Sequence, residues 1–157
     1  MNLAIGTDGV ASNNDLDMFG ETRTAAILAK AVAEDAAAFD AFSALRAATL
    51  GGAKAIGFDH LVGSLEPGKQ ADIACVDLSA LETQPLHHVV SQLIYATGRQ
   101  QVSDVWIAGK PKLSARVLVD MDMDRIIATA KQWPGRVAAL GRAISTALRR
   151  HYQPFGC

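Results

Sequence analysis

The chain has 157 residues, half of them hydrophobic, and a formal net charge of −1. Its length suits one domain, its apolar content argues against disorder, and its near-neutral balance leaves no electrostatic footprint for nucleic acid. No run of eighteen apolar residues is present, so no membrane span is expected, and no basic-then-apolar leader opens the chain. The two cysteines, Cys75 and Cys157, stand far apart. A disulfide framework is therefore not expected, and a reducing cytoplasm fits the composition.

Leu3 to Ile5 is a short apolar run of the size of a buried strand. Gly6 and Gly9 bracket Thr7-Asp8, and Ser12-Asn13-Asn14 bring loop and helix-cap chemistry. A carboxylate is thus set where a strand stops and a loop begins. On the C-terminal rim of a (β/α) barrel, catalytic residues occupy that position. A carboxylate there suits a zinc ligand, or a base beside an activated water. The same Asp-Gly pair also suits an Asx-turn leading into a helix, and spacing alone leaves both readings of Asp8 open. Asn13 and Asn14 either hold the loop through side chain–backbone bonds or touch a substrate.

After the loop, Leu16, Phe19, Arg23, Ala26, Ile27, Lys30 and Ala31 recur at helical spacing, with Asn14 or Asp15 expected as the N-cap and an end near Asp35. Asp40 caps a second expected helix, striped by Phe42, Leu45, Ala48, Thr49, Gly52 and Ile56. Gly51-Gly52 weakens it by roughly 1 kcal/mol per glycine relative to alanine, which close packing against another element would explain. From Phe58 the period changes. Pro67-Gly68 suits the centre of a type II turn, and a strand follows through Ile73 to Val76. Asp72 beside it reads as a residue fixing a turn or strand end.

His88 to Tyr95 is apolar with mixed period. Val102 to Ala108 is a strand, with Val105 and Ile107 on one face and Trp106 on the other. Gly109-Lys110-Pro111 turns the chain, and Leu113 to Val119 returns as a hairpin. A last helix begins near Met123 with Asp122 as cap and is interrupted at Trp133-Pro134-Gly135. The basic pattern beyond, with Arg142, Arg149 and Arg150, reads as a solvated face.

Few constellations carry chemistry. The four histidines are His60, His87, His88 and His151, and none has the spacing of a zinc-ligand set. No Cys-x-x-Cys, glycine-rich phosphate loop or nucleophile elbow occurs.

Two stretches carry a resemblance. Gly6-Thr7-Asp8-Gly9-Val10-Ala11-Ser12-Asn13-Asn14-Asp15-Leu16-Asp17-Met18 resembles the last barrel strand and loop of the amidohydrolase superfamily. It is closest to the branch holding the methylthioadenosine and S-adenosylhomocysteine deaminases and the triazine hydrolases. Gly63-Ser64-Leu65-Glu66-Pro67-Gly68-Lys69-Gln70-Ala71-Asp72 resembles the Gly-x-Leu-x-Pro-Gly-x-x-Ala-Asp element of the small β-sandwich beside that barrel. The resemblance runs from about Leu3 to about Ala139 and covers only the C-terminal part of the family pattern. It lacks the Asp-Gly turn that the family often has near Ser114-Ala115.

The resemblance implies an α/β chain with an incomplete fold. Residues 1–57 would end a metal-dependent (β/α)8 barrel, residues 58–121 would form part of a composite β-sandwich, and residues 122–157 would form a helical segment. A whole barrel needs eight strands and roughly 250 residues, so the chain is expected to be the C-terminal piece of a larger enzyme. Asp8 would be a zinc ligand and proton acceptor, with Asn13 and Asn14 as candidate substrate contacts. The family's His-x-His pair, its further histidines and its glutamate have no counterpart here. The implied reaction is zinc-dependent hydrolytic deamination of an adenine-type nucleoside, of the methylthioadenosine or S-adenosylhomocysteine kind, or of a related N-heterocycle. Triazine chlorohydrolase or aminohydrolase chemistry, or a guanine deaminase-like activity, is the alternative within the family. A non-catalytic remnant or complementing module is the alternative outside it. The implied partners are a small-molecule substrate in the full-length enzyme and either a second copy of the chain or the missing N-terminal half, with no nucleic acid and no membrane.

Overall fold

The first two helices are each begun by an aspartate. The computed structural model describes residues 2–151, and the backbone alone for Ala143 and residues 145–151. Helix α1 spans Met18–Ala33 and closes on Glu34, which takes a left-handed conformation (φ 51°). Its N-cap is Asp17, whose carboxylate accepts from the Phe19 N–H at 2.9 Å. The sequence points instead to Asn14 or Asp15. The cap moves because Asp15 is engaged elsewhere, its N–H on Asn13 Oδ1 and its carboxylate on Arg99. Asp17 is the next acceptor free to take an orphan helix N–H.

Helix α2, Ala41–Arg46, starts at Asp40, which accepts from the Ser43 N–H at 2.8 Å. It runs on through a π-helical turn, Ala47–Gly51, into the short helix α3, Gly52–Ala55. Gly51 is where the N-terminal segment lies against this helix: a Cβ there would stand 2.3 Å from the Leu3 carbonyl oxygen. The contact is held by Asn2 Nδ2 donating to Gly51 O at 2.9 Å and by Ile5 N–H donating to Ala47 O at 3.3 Å. Leu3 to Ile5, expected as a buried strand, forms no strand. A strand exists only by pairing its N–H and C=O groups with a neighbour, and here the segment meets a helix. Gly63 provides a second close approach. Its φ is 91°, and a Cβ there would lie 2.7 Å from Ala53 Cβ.

The stretch with mixed period folds as helix α4, Val89–Tyr95, capped by His88 through Nδ1 to the Ser91 N–H at 3.1 Å. The buried core is small, with Ala26 from α1, Ala41 and Ala44 from α2 and Ile94 from α4 packed against Phe39, Leu45, Val90 and Tyr95. Arg23 reaches from α1 to the end of α4, donating to Ile94 O at 3.2 Å and Thr97 O at 2.5 Å. The first of these bonds reaches a carbonyl in the last turn of α4, where a helix end leaves such groups without intrahelical partners.

The sheet is antiparallel, with strands β1 (Ile73–Val76), β2 (Val102–Ile107), β3 (Lys110–Ser114) and β4 (Val117–Leu118) in that spatial order. Pro67-Gly68 makes the expected turn, with Gly68 at φ 90° and Lys69 N–H on Glu66 O at 3.1 Å. The Asp72 carboxylate accepts from the Ala108 N–H at 2.7 Å, pinning the β2–β3 turn. Among the described residues the strands form this one sheet, not two facing layers.

Met1–Val119 is one compact unit and Asp120–Cys157 a second. In the second, Asp122 caps α5, Met123–Ala130, as expected, and α6 spans Trp133–His151. Pro134 falls in the first turn of α6, where a missing N–H is harmless. Among the described residues no helix is long and apolar enough to cross a membrane. Cys157 lies outside the described residues, as do the side chains of Arg149, Arg150 and His151.

Candidate functional site

The loop after Ile5 is built around Asp8. Its backbone is left-handed, φ 58°, a conformation that aspartate tolerates better than most side chains. Asp8 Oδ1 accepts from the Gly9 N–H at 2.6 Å, and the Thr7 hydroxyl donates to Asp8 O at 3.2 Å. The loop then tightens, with the Ser12 and Asn13 N–H groups both donating to Gly9 O at 2.9 Å. Asp8 is exposed, and its second carboxylate oxygen makes no hydrogen bond among the described residues.

Asn13 is half-buried and central to the loop. Its Nδ2 donates to Thr7 O at 2.9 Å and to Glu21 Oε1 at 2.6 Å, while its Oδ1 accepts from the Asp15 N–H at 3.1 Å. Asn14 is exposed and makes no side-chain hydrogen bond among the described residues. Asp15 pairs with Arg99, joining the loop to the turn that precedes β2. Both partners are largely exposed, so the pair adds little stability. Glu21 is the participant that the sequence does not single out. A carboxylate in the first turn of a helix is already explained by the helix dipole, and its reach to Asn13 emerges only when the loop folds back.

A carboxylate oxygen is a good zinc donor, and Asp8 presents one that is exposed and uncommitted. It fits such a metal as a single ligand, whereas a catalytic zinc takes about three from protein. Among the described residues no three His, Cys, Asp or Glu side chains come together to hold a metal. His60, His87 and His88 are exposed, and His88 is engaged as the α4 cap. An apolar cavity of about 350 Å³ lies elsewhere, lined by residues such as Met18, Phe19, Leu45, Val76 and Leu93. It has no titratable lining and does not include the Asp8 loop.

Comparison with known proteins shows the family. The model of the Amidohydrolase family matches residues 1–112. A 5-methylthioadenosine/S-adenosylhomocysteine deaminase from Teredinibacter turnerae is 50% identical over 139 residues, which are 88% of this chain and 31% of the relative. Among solved structures, an adenosine deaminase from Xanthomonas campestris with bound zinc superposes with a TM-score of 0.86 and is 71% identical, covering 88% of this chain and 32% of that one. An atrazine chlorohydrolase from Arthrobacter aurescens TC1, complexed with zinc, gives a TM-score of 0.77 at 29% identity, covering 83% of this chain and 29% of that one. The chain thus spans less than a third of the length of the relatives it matches.

Proposed function

The chain belongs to the amidohydrolase family, and on that premise we propose that it supplies Asp8 to a zinc site that hydrolytically deaminates an adenine-type nucleoside. The observation that carries this reading is the Asp8 carboxylate itself. It is exposed at a tight turn, with one oxygen held by the Gly9 N–H and the other open. Zinc, when bound, supplies Lewis-acid activation of water at neutral pH. Asp8 would serve as one ligand through its open oxygen, and its carboxylate would accept a proton as water attacks the ring carbon. The remaining ligands and the donor to the ring nitrogen would come from residues outside this chain.

In this reading residues 1–57 end a (β/α)8 barrel, residues 58–121 belong to a composite sandwich, and residues 122–157 form a helical segment. The exposure of Leu3 and of Ile27, Leu28 and Val32 on α1 supports a surface built to be covered. A substrate of the methylthioadenosine or S-adenosylhomocysteine kind is favoured over a triazine. The deaminase relatives named above share 50% and 71% identity with this chain, against 29% for the chlorohydrolase.

The test replaces the matching part of the Xanthomonas campestris adenosine deaminase with this chain and measures zinc content and deamination of methylthioadenosine. Asp8→Asn keeps the shape and removes the charge and the basic lone pair. Turnover should fall by at least about 10²-fold while the melting temperature holds. Near-normal turnover would leave Asp8 as a turn residue. The isolated chain should neither hold stoichiometric zinc nor turn over substrate, because it offers one plausible ligand where about three are needed. Zinc-loaded, active isolated chain would refute the shared site.

A further inference from the structure

We propose that Asn13 and Glu21 are positioning residues for Asp8: the Glu21 carboxylate holds the Asn13 amide against the Thr7 carbonyl, and so sets where the next side chain stands. The proposal rests on the reading of Asp8 given above. Thr7 O belongs to the peptide group that enters Asp8, so fixing it fixes the plane from which the Asp8 side chain departs. Asp8 needs such a restraint, because its φ of 58° is unfavourable for a residue with a Cβ.

The Asn13 amide is fully used. Both of its N–H donors are engaged, one on Thr7 O and one on Glu21 Oε1, and its oxygen accepts from the Asp15 N–H. Reversing the amide would set its oxygen against two acceptors, so the surroundings admit one orientation. Glu21 belongs to the first turn of α1, a sixteen-residue helix that packs into the core through Ala26. The loop is therefore referenced to a rigid element through a hydrogen bond to a charged acceptor, which is stronger than a neutral one. Asn14, its sequence neighbour, has no comparable tie.

The experiment uses the 157-residue chain and backbone ¹⁵N relaxation, with thermal melts in parallel, on the parent, Asn13→Ala, Glu21→Ala and Glu21→Gln. In the parent, the order parameters of the Asp8 and Gly9 amides should be near the rigid value of about 0.85. In Asn13→Ala and Glu21→Ala they should fall towards about 0.6, with the melting temperature within about 2 °C of the parent. Glutamine keeps an acceptor oxygen, so Glu21→Gln should retain the order of the parent. Three results would each overturn the proposal: an Asp8 loop as ordered in the alanine variants as in the parent, a general loss of order with a fallen melting temperature, or a Glu21→Gln variant as mobile as Glu21→Ala. Relaxation does not depend on activity. An error in the role given to Asp8 would show separately, as normal turnover of Asp8→Asn in the hybrid enzyme while the loop stays ordered.

Discussion

Gly51 and Gly52 are adjacent in one continuous helical run, yet alanine should act on them with opposite sign. At Gly51 the new methyl would stand 2.3 Å from Leu3 O and 3.0 Å from Arg46 O, both backbone atoms. The N-terminal segment must then lift, loosening the Asn2–Gly51 and Ile5–Ala47 hydrogen bonds. At about 1 kcal/mol each, the two bonds amount to about 2 kcal/mol. The helix propensity gained from alanine offsets about 1 kcal/mol of that. The net loss is about 1 kcal/mol, or a melting temperature lower by about 4 °C for a unit of this size. If the segment cannot lift, overpacking gives the same sign at about 1–3 kcal/mol. At Gly52 the nearest atom is Ala47 O at 3.7 Å, an ordinary contact. Gly52→Ala should therefore stabilise by about 0.5–1 kcal/mol. Calorimetric melts of the two variants, with amide exchange followed at Ile5, make the comparison. A Gly51→Ala protein that melts higher than the parent would refute the claim that the N-terminal segment rests on the Gly51 backbone.

Three further outcomes are expected. The β3–β4 turn places Ala115 (φ 48°) and Arg116 (φ 65°) in the left-handed region, as a two-residue primed turn demands. Ala115→Asn should raise the urea midpoint at constant slope, a shift equivalent to a stabilisation of up to about 1 kcal/mol, and a lowered midpoint would count against this turn. The Asp77 carboxyl accepts from the Ser79 hydroxyl and N–H and from Arg116, and these hold its pKa down from 3.8 to about 2. A lowered folded-state pKa stabilises fully above the unfolded value and is lost as pH falls through the folded one. Stability should thus decline between about pH 4 and pH 2, and Asp77→Asn should flatten that window in acid-unfolding curves; an unchanged curve would refute the assignment. Finally, Val32 is 77% exposed, Leu28 58% and Ile27 54% on one helix. The chain alone should therefore scatter light as species heavier than 16.6 kDa, and a monodisperse monomer would show that this surface needs no cover.

Features set by a few neighbouring residues were legible in the chain. Asp40 and Asp122 cap their helices because an aspartate side chain reaches an N–H three residues ahead whatever the rest of the molecule does. Pro67-Gly68 turns because proline and glycine restrict or free their own φ, and Val102–Ile107 is a strand as its β-branched and aromatic residues lead one to expect. Asp8 stands out along the chain as a carboxylate between glycines after an apolar run, a pattern that suits a turn as well as a ligand or a base. Features that depend on a distant partner were not. Leu3 to Ile5 has the composition of a strand, but it meets the Gly51 turn of a helix, which offers no ladder to join. The α1 cap moved to Asp17 because Arg99, far along the chain, engages Asp15. The tie from Glu21 through Asn13 to Thr7 forms because the loop folds back over the first turn of α1. Side-chain hydrogen bonds of that kind are made through space, and neither propensity nor periodicity along the chain encodes which groups the fold will bring within 3 Å of one another.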